Sequence, residues 1–480
     1  MNIKFIHIPK KICERGKLVQ YQVMIPSVGM WGLANLARAM GNDVEIIHTG
    51  IEETLDPEFN LETYLEKEKT DVVCVALHWH LQLHEVFETT KNIRERCPRV
   101  KIIIGGLTAS YFYDSIMKEW PQIDVIIKGD AEKPLRALIH SGFRNLLRVP
   151  NVVWRDKNGN VNDNAITYCG SVDDIEEFSK IELKLLKNYE YYSGTYYLDV
   201  DRNVLTTHEK RWYLNVGRGC SANCIYCGGG KEAFKVSSNR TNIALRSPEA
   251  VLQDMITLKN EFKFTDYYIC FHPPSMKNSY YIKLFAMVRR EMKTSMIFEY
   301  YNNLMDDNFI RIYSKMFMME RSRIDFSPTV FSENLRKYIT PSAFRDSELE
   351  EIVKLMHNLG LKTCFYYSLF PQEKRESMLQ GASVARRLIE KYPNLTVIIM
   401  PIDIEPFSPW FADPDKYGIH LTRSTLLEFQ NHHSRRRGLD KEEDLGYRFP
   451  GYENVLDTIG NYSDNPRWCC FSKNIYNSFF

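Results

Sequence analysis

The sequence predicts an α/β protein in which an N-terminal doubly wound parallel sheet precedes a partial (β/α)6 barrel and an irregular C-terminal cap. Short apolar runs alternate with helical patterns through the first 145 residues, and the alternation returns with longer units from residue 211. Strands that alternate with helices are typical of parallel sheets. Beyond about residue 405 the chain is aromatic and irregular, and we expect this tail to close the open side of the barrel.

Length and composition indicate a globular protein of several domains. A chain of 480 residues exceeds one ordinary core, and 44% of its residues are hydrophobic. We assign four segments: the sheet domain 1–145, a connector with a β-hairpin 146–204, the barrel 205–404 and the cap 405–480.

Charge and hydropathy narrow the expected partners and location. The formal net charge of +1 gives no reason to expect a nucleic acid partner. No stretch approaches 18 apolar residues, and the start of the chain lacks the apolar core of a signal peptide. We therefore expect a cytoplasmic monomer with no membrane span.

The first domain is predicted from five apolar runs that are nearly continuous in Ile and Val. Such runs are typical of strands buried on both faces. The runs cover residues 3–8, 44–48, 72–77, 101–106 and 124–129. Parallel sheets of this kind bind ligands beyond the carboxyl ends of their strands. The candidate ligand residues there are Ser27, Gly29, His78, Trp79, His80, Gly105, Gly106, Thr108, Gly129 and Glu132. Sheet pattern alone also allows a nucleotide-binding or regulatory domain.

The connector and the barrel carry local signals of their own. Asn158-Gly159 between apolar runs predicts a hairpin. Ser247 before Pro248 predicts the start of a helix. Six strand candidates fit a partial barrel, and they cover residues 211–217, 266–272, 295–301, 323–328, 362–370 and 396–402.

Three cysteines directly follow the first barrel strand. Cys220, Cys224 and Cys227 lie in a loop too short to pair its own thiols comfortably, and thiolates bind zinc or iron–sulfur clusters. Structural zinc would need a fourth ligand, for which His208 or His272 is available. A three-cysteine loop suits a [4Fe–4S] cluster better, because one iron is left open to chelate a small molecule.

Cys-x3-Cys-x2-Cys at the end of the first strand of a partial barrel resembles the radical S-adenosylmethionine superfamily. The N-terminal pattern "ALHWH…KIIIGGLTAS…DVIIKGDAEKPL" is similar to the cobalamin-binding domain of its cobalamin-dependent branch. "CIYCGGG" and "IEPFSPWFADPDKYGI" are also similar to sequences of that branch. The resemblance covers residues 1 to about 405.

The resemblance implies a reaction and its cofactors, which are a [4Fe–4S] cluster, S-adenosylmethionine and cobalamin. The three cysteines hold the cluster, and S-adenosylmethionine binds the open iron and is cleaved to a 5′-deoxyadenosyl radical. The substrate radical then takes a methyl group from methylcobalamin. The expected outcome is methylation of an unactivated carbon in a small molecule, lipid or peptide. A flavodoxin or ferredoxin is the expected electron donor.

The resemblance also assigns S-adenosylmethionine contacts. Tyr226 packs against adenine in this assignment, and ordinary core packing is the alternative. Gly228 lets the backbone approach the cofactor. Ser327 and Thr329 bond the ribose hydroxyls or serve as turn residues. The family's glycine pair for the methionine amino group is replaced by "FHPPSM", in which His272 is either a substitute or a core histidine.

The candidate ligand residues of the first domain become the expected cobalamin contacts. The domain lacks Asp-x-His-x-x-Gly, which supplies a histidine to cobalt in many cobalamin enzymes. We expect Trp79 to shield the lower face of cobalt without coordinating it. Coordination by His78 or His80 is the alternative.

Three other functions remain open at this point. A cobalamin-dependent rearrangement or cyclisation would use the same cofactors without methyl transfer. A methylthiotransferase would need a second cluster on Cys13, Cys74 and Cys97, but Cys74 lies inside an apolar strand. A non-catalytic cobalamin sensor or electron carrier would not cleave S-adenosylmethionine.

Overall fold

The computed structural model describes residues 1–14, 17–22, 27–178, 180–192, 197–198, 204–205, 211–273, 276–301, 304–339, 344–370, 372–437, 445–448, 465 and 467–470. The chain divides into two compact units. Unit 1 comprises residues 1–204, 232–245 and 423–437, and unit 2 comprises residues 205–231, 246–422 and 438–480.

The strands in chain order are β1 Asn2–His7, β2 Lys10–Glu14, β3 Lys17–Gln22, β4 Asp43–His48, β5 Val72–Ala76, β6 Lys101–Gly105, β7 Val125–Ile127, β8 Val152–Arg155, β9 Val161–Asp163, β10 Tyr197–Leu198, β11 Val204–Leu205, β12 Arg211–Tyr213, β13 Gly217–Arg218, β14 Ala244–Leu245, β15 Asp266–Ile269, β16 Ser295–Tyr301, β17 Arg323–Thr329, β18 Lys362–Leu369, β19 Leu395–Pro401, β20 His420–Leu421, β21 Tyr447–Arg448 and β22 Trp468–Cys470.

The α-helices are α1 Val28–Ala39, α2 Thr49–Leu55, α3 Leu61–Lys67, α4 Leu83–Arg96, α5 Leu107–Tyr111, α6 Tyr113–Glu119, α7 Glu132–Ser141, α8 Val172–Phe178, α9 Tyr189–Tyr192, α10 Lys231–Ser238, α11 Pro248–Phe262, α12 Asn278–Glu291, α13 Asp307–Met316, α14 Glu333–Ile339, α15 Asp346–Asn358, α16 Arg375–Lys391, α17 Pro409–Ala412 and α18 Leu426–Ser434. Short 3₁₀ turns cover His80–Gln82, Leu146–Arg148, Leu183–Leu185 and Asp415–Tyr417.

Unit 1 is built on a sheet of order β4-β1-β5-β6-β7-β8-β9. The first five strands are parallel, and they coincide with the five predicted apolar runs. The prediction of an N-terminal doubly wound parallel sheet is confirmed. Strands β4 and β5 pair with opposite edges of β1. The strand order therefore reverses at β1, and sheets of this kind bind ligands at such a point.

The predicted hairpin joins β8 to β9, and Gly159 in its turn has a φ of 85°. Strand β8 pairs antiparallel with β7, so the hairpin extends the first sheet. Residues 152–163 of the predicted connector therefore contribute to the sheet of unit 1.

Unit 2 is built on a parallel sheet of order β12-β15-β16-β17-β18-β19-β22. Its first six strands are the six predicted from the sequence, in the predicted order. Helix α11 begins as predicted, because the Ser247 side chain accepts a hydrogen bond from Ala250 N at 3.1 Å. Strand β22 was not predicted: within the tail expected to be irregular, it pairs parallel with β19. Its three residues are too few for a periodic signal.

Within the described ranges, no helix combines the length and the apolar composition that crossing a membrane requires.

Candidate functional site

The loop after β13 contains three cysteines that are not in disulfide bonds, Cys220, Cys224 and Cys227. The backbone N–H of Ala222 donates to Cys220 Sγ at 3.4 Å, and that of Gly229 donates to Cys227 Sγ at 3.3 Å. N–H donors directed at sulfur stabilise thiolates and orient cluster ligands. The loop therefore fits a thiolate-bound iron–sulfur cluster.

Burial raises the pKa of two of these thiols, those of Cys220 and Cys227. It raises the pKa of the Cys227 thiol to about 11, so cluster binding must displace its proton. In the part of the chain that the structure describes, no three His, Cys, Asp or Glu side chains are arranged to hold a single metal ion. A [4Fe–4S] cluster bonds each cysteine to a different iron and does not require that convergence. His208, the alternative zinc ligand, lies outside the described residues.

Aromatic packing fixes the cysteine loop. The Tyr226 ring meets Phe370 edge to face with centroids 5.0 Å apart, and Phe370 contacts Trp410 at 5.3 Å. The Tyr226 hydroxyl shares a hydrogen bond with the Thr329 side chain, and Trp410 N donates to Ile225 O at 3.0 Å. Tyr226 is thus part of a packed aromatic cluster, and its predicted contact with adenine stays a prediction.

The end of β17 has an unusual backbone. Thr329 has a φ of 74°, which is rare for a β-branched residue, and the pairing of β17 with β18 shifts register between Phe326 and Thr329. The Thr329 hydroxyl donates to Ser327 O at 3.3 Å. Strained backbone of this kind is common at functional sites. The structure brings Thr329 to the cysteine loop through Tyr226, and the predicted ribose contacts remain predictions.

His272 lies in an aromatic cluster. Its ring stacks on Tyr300 with centroids 4.1 Å apart, contacts Tyr281 and Phe298, and shares a 3.3 Å hydrogen bond with Asn278. The side chain is 2% exposed, and burial lowers its pKa to about 4. These contacts are those of the neutral core histidine that the sequence left as one of two alternatives.

Glu405 is a site residue that sequence reasoning missed. Its Oε2 atom would lie 3.3 Å from a Cβ atom on Gly228, directly after the third cysteine. Among the described residues, the Glu405 carboxylate has no hydrogen-bonding or ion-pairing partner. Burial and the charge of Asp403 raise its pKa to about 7. An acidic residue flanked by Ile and Pro directly after the last barrel strand was the available signal.

In unit 1, hydrogen bonds tie together the loops that follow β5, β6 and β7. The Thr108 hydroxyl donates to His78 O at 3.0 Å, and Gly129 N donates to Ser110 Oγ at 2.9 Å. The structure therefore gathers the predicted cobalamin segments at one edge of the sheet.

Two of the predicted glycines are required because another part of the protein backbone packs directly against them. A Cβ atom on Gly106, whose φ is 118°, would lie 2.6 Å from Leu77 O. A Cβ atom on Gly129, whose φ is 66°, would lie 2.6 Å from Ser237 O. The neighbours that require glycine at these two positions are the loop after β5 and the end of α10, and both belong to unit 1.

Other predicted positions are more open. Gly29 is exposed and has no atom within 4 Å of an added Cβ, while Gly105 has only ordinary contacts with Ile127. Ser27 is half-buried at the start of α1, and Glu132 is buried in the first turn of α7. Gly29 and Gly105 are thus positions where a ligand can approach the backbone.

The loop after β5 gives its two histidines different surroundings. His78 and Trp79 are half-buried, meet edge to face at 4.6 Å, and donate their backbone N–H groups to Gln82 Oε1 at 3.2 and 3.1 Å. His80 is 2% exposed, and its Nδ1 lies 3.0 Å from His433 Nε2. Burial holds the pKa of His80 well below its ordinary value.

The cysteines of the methylthiotransferase alternative have structural surroundings. Cys74 is 8% exposed on β5, and burial raises its pKa to about 12. Cys13 lies on β2, and Cys97 is buried after α4. The described residues contain no set of three ligands formed by these cysteines.

Two family matches coincide with these two sites. Residues 18–139 match the B12 binding domain family, and residues 214–382 match the Radical SAM superfamily. The chain therefore belongs to the radical SAM enzymes that carry a B12-binding domain. Its cofactors are cobalamin, S-adenosylmethionine and a [4Fe–4S] cluster.

Two relatives of established activity share parts of the sequence. The anaerobic magnesium-protoporphyrin IX monomethyl ester cyclase of Synechocystis sp. is 28% identical over 149 residues, which are 30% of this chain and 26% of the cyclase. The hopanoid C-3 methylase of Methylococcus capsulatus is 24% identical over 235 residues, which are 48% of this chain and 40% of the methylase. The chain thus matches less than half the length of either relative.

A solved structure matches nearly the whole fold. The radical S-adenosylmethionine methyltransferase TsrM of Kitasatospora setae, determined with cobalamin and a [4Fe–4S] cluster bound, superposes with a TM-score of 0.70 at 13% identity. The match covers 98% of this chain and 93% of TsrM. At this identity the likeness shows the fold.

Proposed function

We propose that the protein methylates an unactivated carbon of its substrate. The observation that carries the proposal is one chain with both a cobalamin-binding sheet edge and the three-cysteine loop. When bound, the cofactors supply a transferable methyl group and a radical that removes hydrogen from carbon. A relative that is a methylase and a fold neighbour that is a methyltransferase support this assignment.

A cyclisation or rearrangement is the second candidate. The relative that is a cyclase favours it, because that enzyme is 28% identical to the matched part of this chain and the methylase is 24% identical. Both candidates use the same cofactor sites, so only the product distinguishes them.

In this proposal Cys220, Cys224 and Cys227 hold the cluster, and Glu405 receives the ammonium group of the methionine end of S-adenosylmethionine. A carboxylate buried without a partner is costly, and a cation beside it removes that cost. Glu405 lies against Gly228 of the cysteine loop, beside the cluster to which the methionine end of the cofactor binds in this proposal. It thereby takes the role of the glycine pair that "FHPPSM" does not provide.

In unit 1 we assign cobalamin to the edge formed by the loops after β5, β6 and β7. Trp79 covers the lower face of cobalt in this assignment. The pairing of His80 with His433 supports it, because His80 is already held by another side chain. A flavodoxin or ferredoxin is the proposed reductant.

Anaerobic turnover with methyl-deuterated S-adenosylmethionine and a metabolite extract tests the proposal by mass spectrometry. We expect a product that has gained one deuterated methyl group in place of hydrogen. A product with an unchanged carbon count would instead favour the cyclisation candidate. A control without reductant should give neither product.

A further inference from the structure

Strand β16 has two faces of different character. Phe298 and Tyr300 are 0% and 4% exposed, and Phe298 packs against Phe285 of α12 with centroids 5.6 Å apart. The alternate residues, Glu299 and Tyr301, point away from the helices and keep solvent-accessible surface. The outer face of the unit 2 sheet, which contacts the helices, is fully packed at β16. The opposite, inner face is partly accessible to solvent.

The same alternation continues across the neighbouring strands. Buried outward residues on β17, β18 and β19 alternate with partly exposed inward ones toward the carboxyl ends of the strands. The partly exposed residues are Ser327, Tyr366, Ser368 and Met400, and their buried neighbours include Phe326, Phe365, Tyr367 and Ile399. These inward side chains line an accessible space, which we call the lumen.

The charged groups of the lumen leave one carboxylate available. Arg323 donates from Nε to Asp325 Oδ1 at 2.5 Å and from Nη2 to Oδ2 at 2.9 Å, so Asp325 is satisfied in a bidentate ion pair. Glu299 accepts a hydrogen bond from the Tyr301 hydroxyl. With Arg323 and Asp325 neutralising each other, Glu299 gives the lumen a net negative charge.

Tyrosine rings surround this carboxylate. Tyr213 and Tyr268 lie with centroids 4.6 Å apart, and Tyr268 hydrogen-bonds to Glu299. The Tyr366 hydroxyl donates to Asp325 Oδ2 at 3.3 Å. A carboxylate among tyrosine hydroxyls can accept a charge-assisted hydrogen bond from a cation. A site of this composition selects an alkylammonium group.

We infer that the lumen of unit 2 binds an amine substrate, whose ammonium group is held by the Glu299 carboxylate among the surrounding tyrosine side chains. The inference rests on the proposed function and names the substrate class that it leaves open. A wholly apolar substrate would bury the ionised Glu299 carboxylate without a positively charged partner and is disfavoured for that reason.

Amine binding should depend on pH, because only the ionised form of Glu299 attracts an ammonium group. The groups facing Glu299 are Tyr268 and Cys270 from the β15 side, Tyr301 on its own strand, Arg323 and Asp325 on β17, and Tyr366 on β18. Burial, and then the charge of Asp325, raise the pKa of Glu299 to about 7. An alkylammonium group stays protonated to about pH 10. Amine binding should therefore strengthen as pH rises from about 6 to about 8.

The test separates the substrate pool by charge. A methanol–water extract of the source cells is loaded at about pH 3 on a cation-exchange resin, which retains amines and passes neutral lipids. Each fraction is then incubated with reduced holoenzyme and methyl-deuterated S-adenosylmethionine. We expect deuterated product from the retained fraction, reduced at least about tenfold in Glu299→Gln and less in Glu299→Asp, which keeps the charge.

Two neighbouring tyrosines on opposite faces of β16 provide the matched control. Tyr301→Phe removes an inward hydroxyl and should lower product formation. Tyr300→Phe removes an outward hydroxyl and should leave it within about twofold of the parent. Iron content and S-adenosylmethionine binding of every variant must equal those of the parent. A loss of product then results from the change in the lumen and not from loss of a cofactor.

The outcomes separate this inference from the proposed function. Deuterated product only from the unretained fraction overturns the amine assignment and leaves methylation standing. Product from the retained fraction that is unchanged in Glu299→Gln overturns the role of Glu299. Absence of both deuterated product and S-adenosylhomocysteine from every fraction overturns the proposed function and this inference with it.

Discussion

A Cβ atom placed on Gly228 would lie 2.4 Å from the carbonyl oxygen of Pro406. The segment after β19 therefore lies directly on the backbone of the cysteine loop, and only glycine leaves room for it. The same contact brings Glu405 to the cluster-binding loop. Two predictions follow from this arrangement, and two concern other parts of the chain.

Replacing Gly228 with alanine should displace the cysteine loop, because the new methyl group collides with backbone. We expect Gly228→Ala to lose most of its iron after anaerobic reconstitution and to lose about 1–3 kcal/mol of unfolding free energy. Iron assay and thermal unfolding measure the two effects, with Cys220→Ala as the iron-deficient reference.

Gly229→Ala is the matched control for this prediction. An added Cβ there meets Cys227 Sγ at 3.8 Å, an ordinary contact, so iron content should stay near that of the parent. Equal iron in Gly228→Ala and Gly229→Ala would show that the close contact with Pro406 does not position the loop.

Glu405→Gln should weaken S-adenosylmethionine binding by about tenfold to a hundredfold, because it removes the charge proposed to receive the ammonium group. Equilibrium dialysis gives the affinity, and the change that S-adenosylmethionine causes in the electron paramagnetic resonance spectrum of the reduced cluster gives an independent readout. Asp415→Asn, an exposed acid in the same tail, should bind normally. An unchanged affinity in Glu405→Gln would remove Glu405 from the cofactor site.

The free energy of unfolding should decrease as pH rises, because Glu299 loses its proton. Its pKa is raised from the ordinary 4.5 to about 7, so the folded state holds the proton more tightly than the unfolded state. The associated stability is complete below about pH 4.5 and is lost as pH rises to about 7. Glu299→Gln should therefore gain about 1–3 kcal/mol over the parent at pH 8 and nothing near pH 4.5.

Denaturant unfolding of the parent and of Glu299→Gln at both pH values measures this difference. A gain that is the same at pH 4.5 and pH 8 would mean that Glu299 does not titrate between them.

Bound cobalamin in the cobalt(II) state should show no nitrogen superhyperfine splitting in its electron paramagnetic resonance spectrum, because Trp79 is proposed to cover cobalt without coordinating it. His80 is already paired with His433, which leaves His78 as the histidine to test. Splitting that disappears in His78→Ala would replace shielding by Trp79 with coordination by His78. His84→Ala, on the neighbouring helix α4, serves as the control.

The parallel strands β1, β4–β7, β12 and β15–β19 were predictable because each lies in a run rich in apolar and aromatic residues. SMIFEYY, for example, is β16 from its first residue to its last. Strand β22 was not predictable, since three residues carry no periodicity. The three cysteines were predictable because all the ligands lie within eight residues of chain.

What sequence reasoning missed at the sites depends on contacts distant in the chain, such as the pairing of the predicted residue His80 with His433. His80 and His433 are 353 positions apart, and no local pattern relates them. Glu299 is a single acidic residue in an apolar strand, which is a visible signal. Only the register of β16 against β17 shows that it faces Asp325, because a shift of one residue would turn it outward.

Methylation of an unactivated carbon can be tested by measuring both co-products of S-adenosylmethionine in the presence of the true substrate. One molecule should end as S-adenosylhomocysteine and another as 5′-deoxyadenosine with methionine, because methyl supply and radical generation are separate steps. We expect the two co-products in roughly equal amounts, each matching the amount of methylated product. A product with an unchanged carbon count, formed with 5′-deoxyadenosine but without S-adenosylhomocysteine, would contradict it.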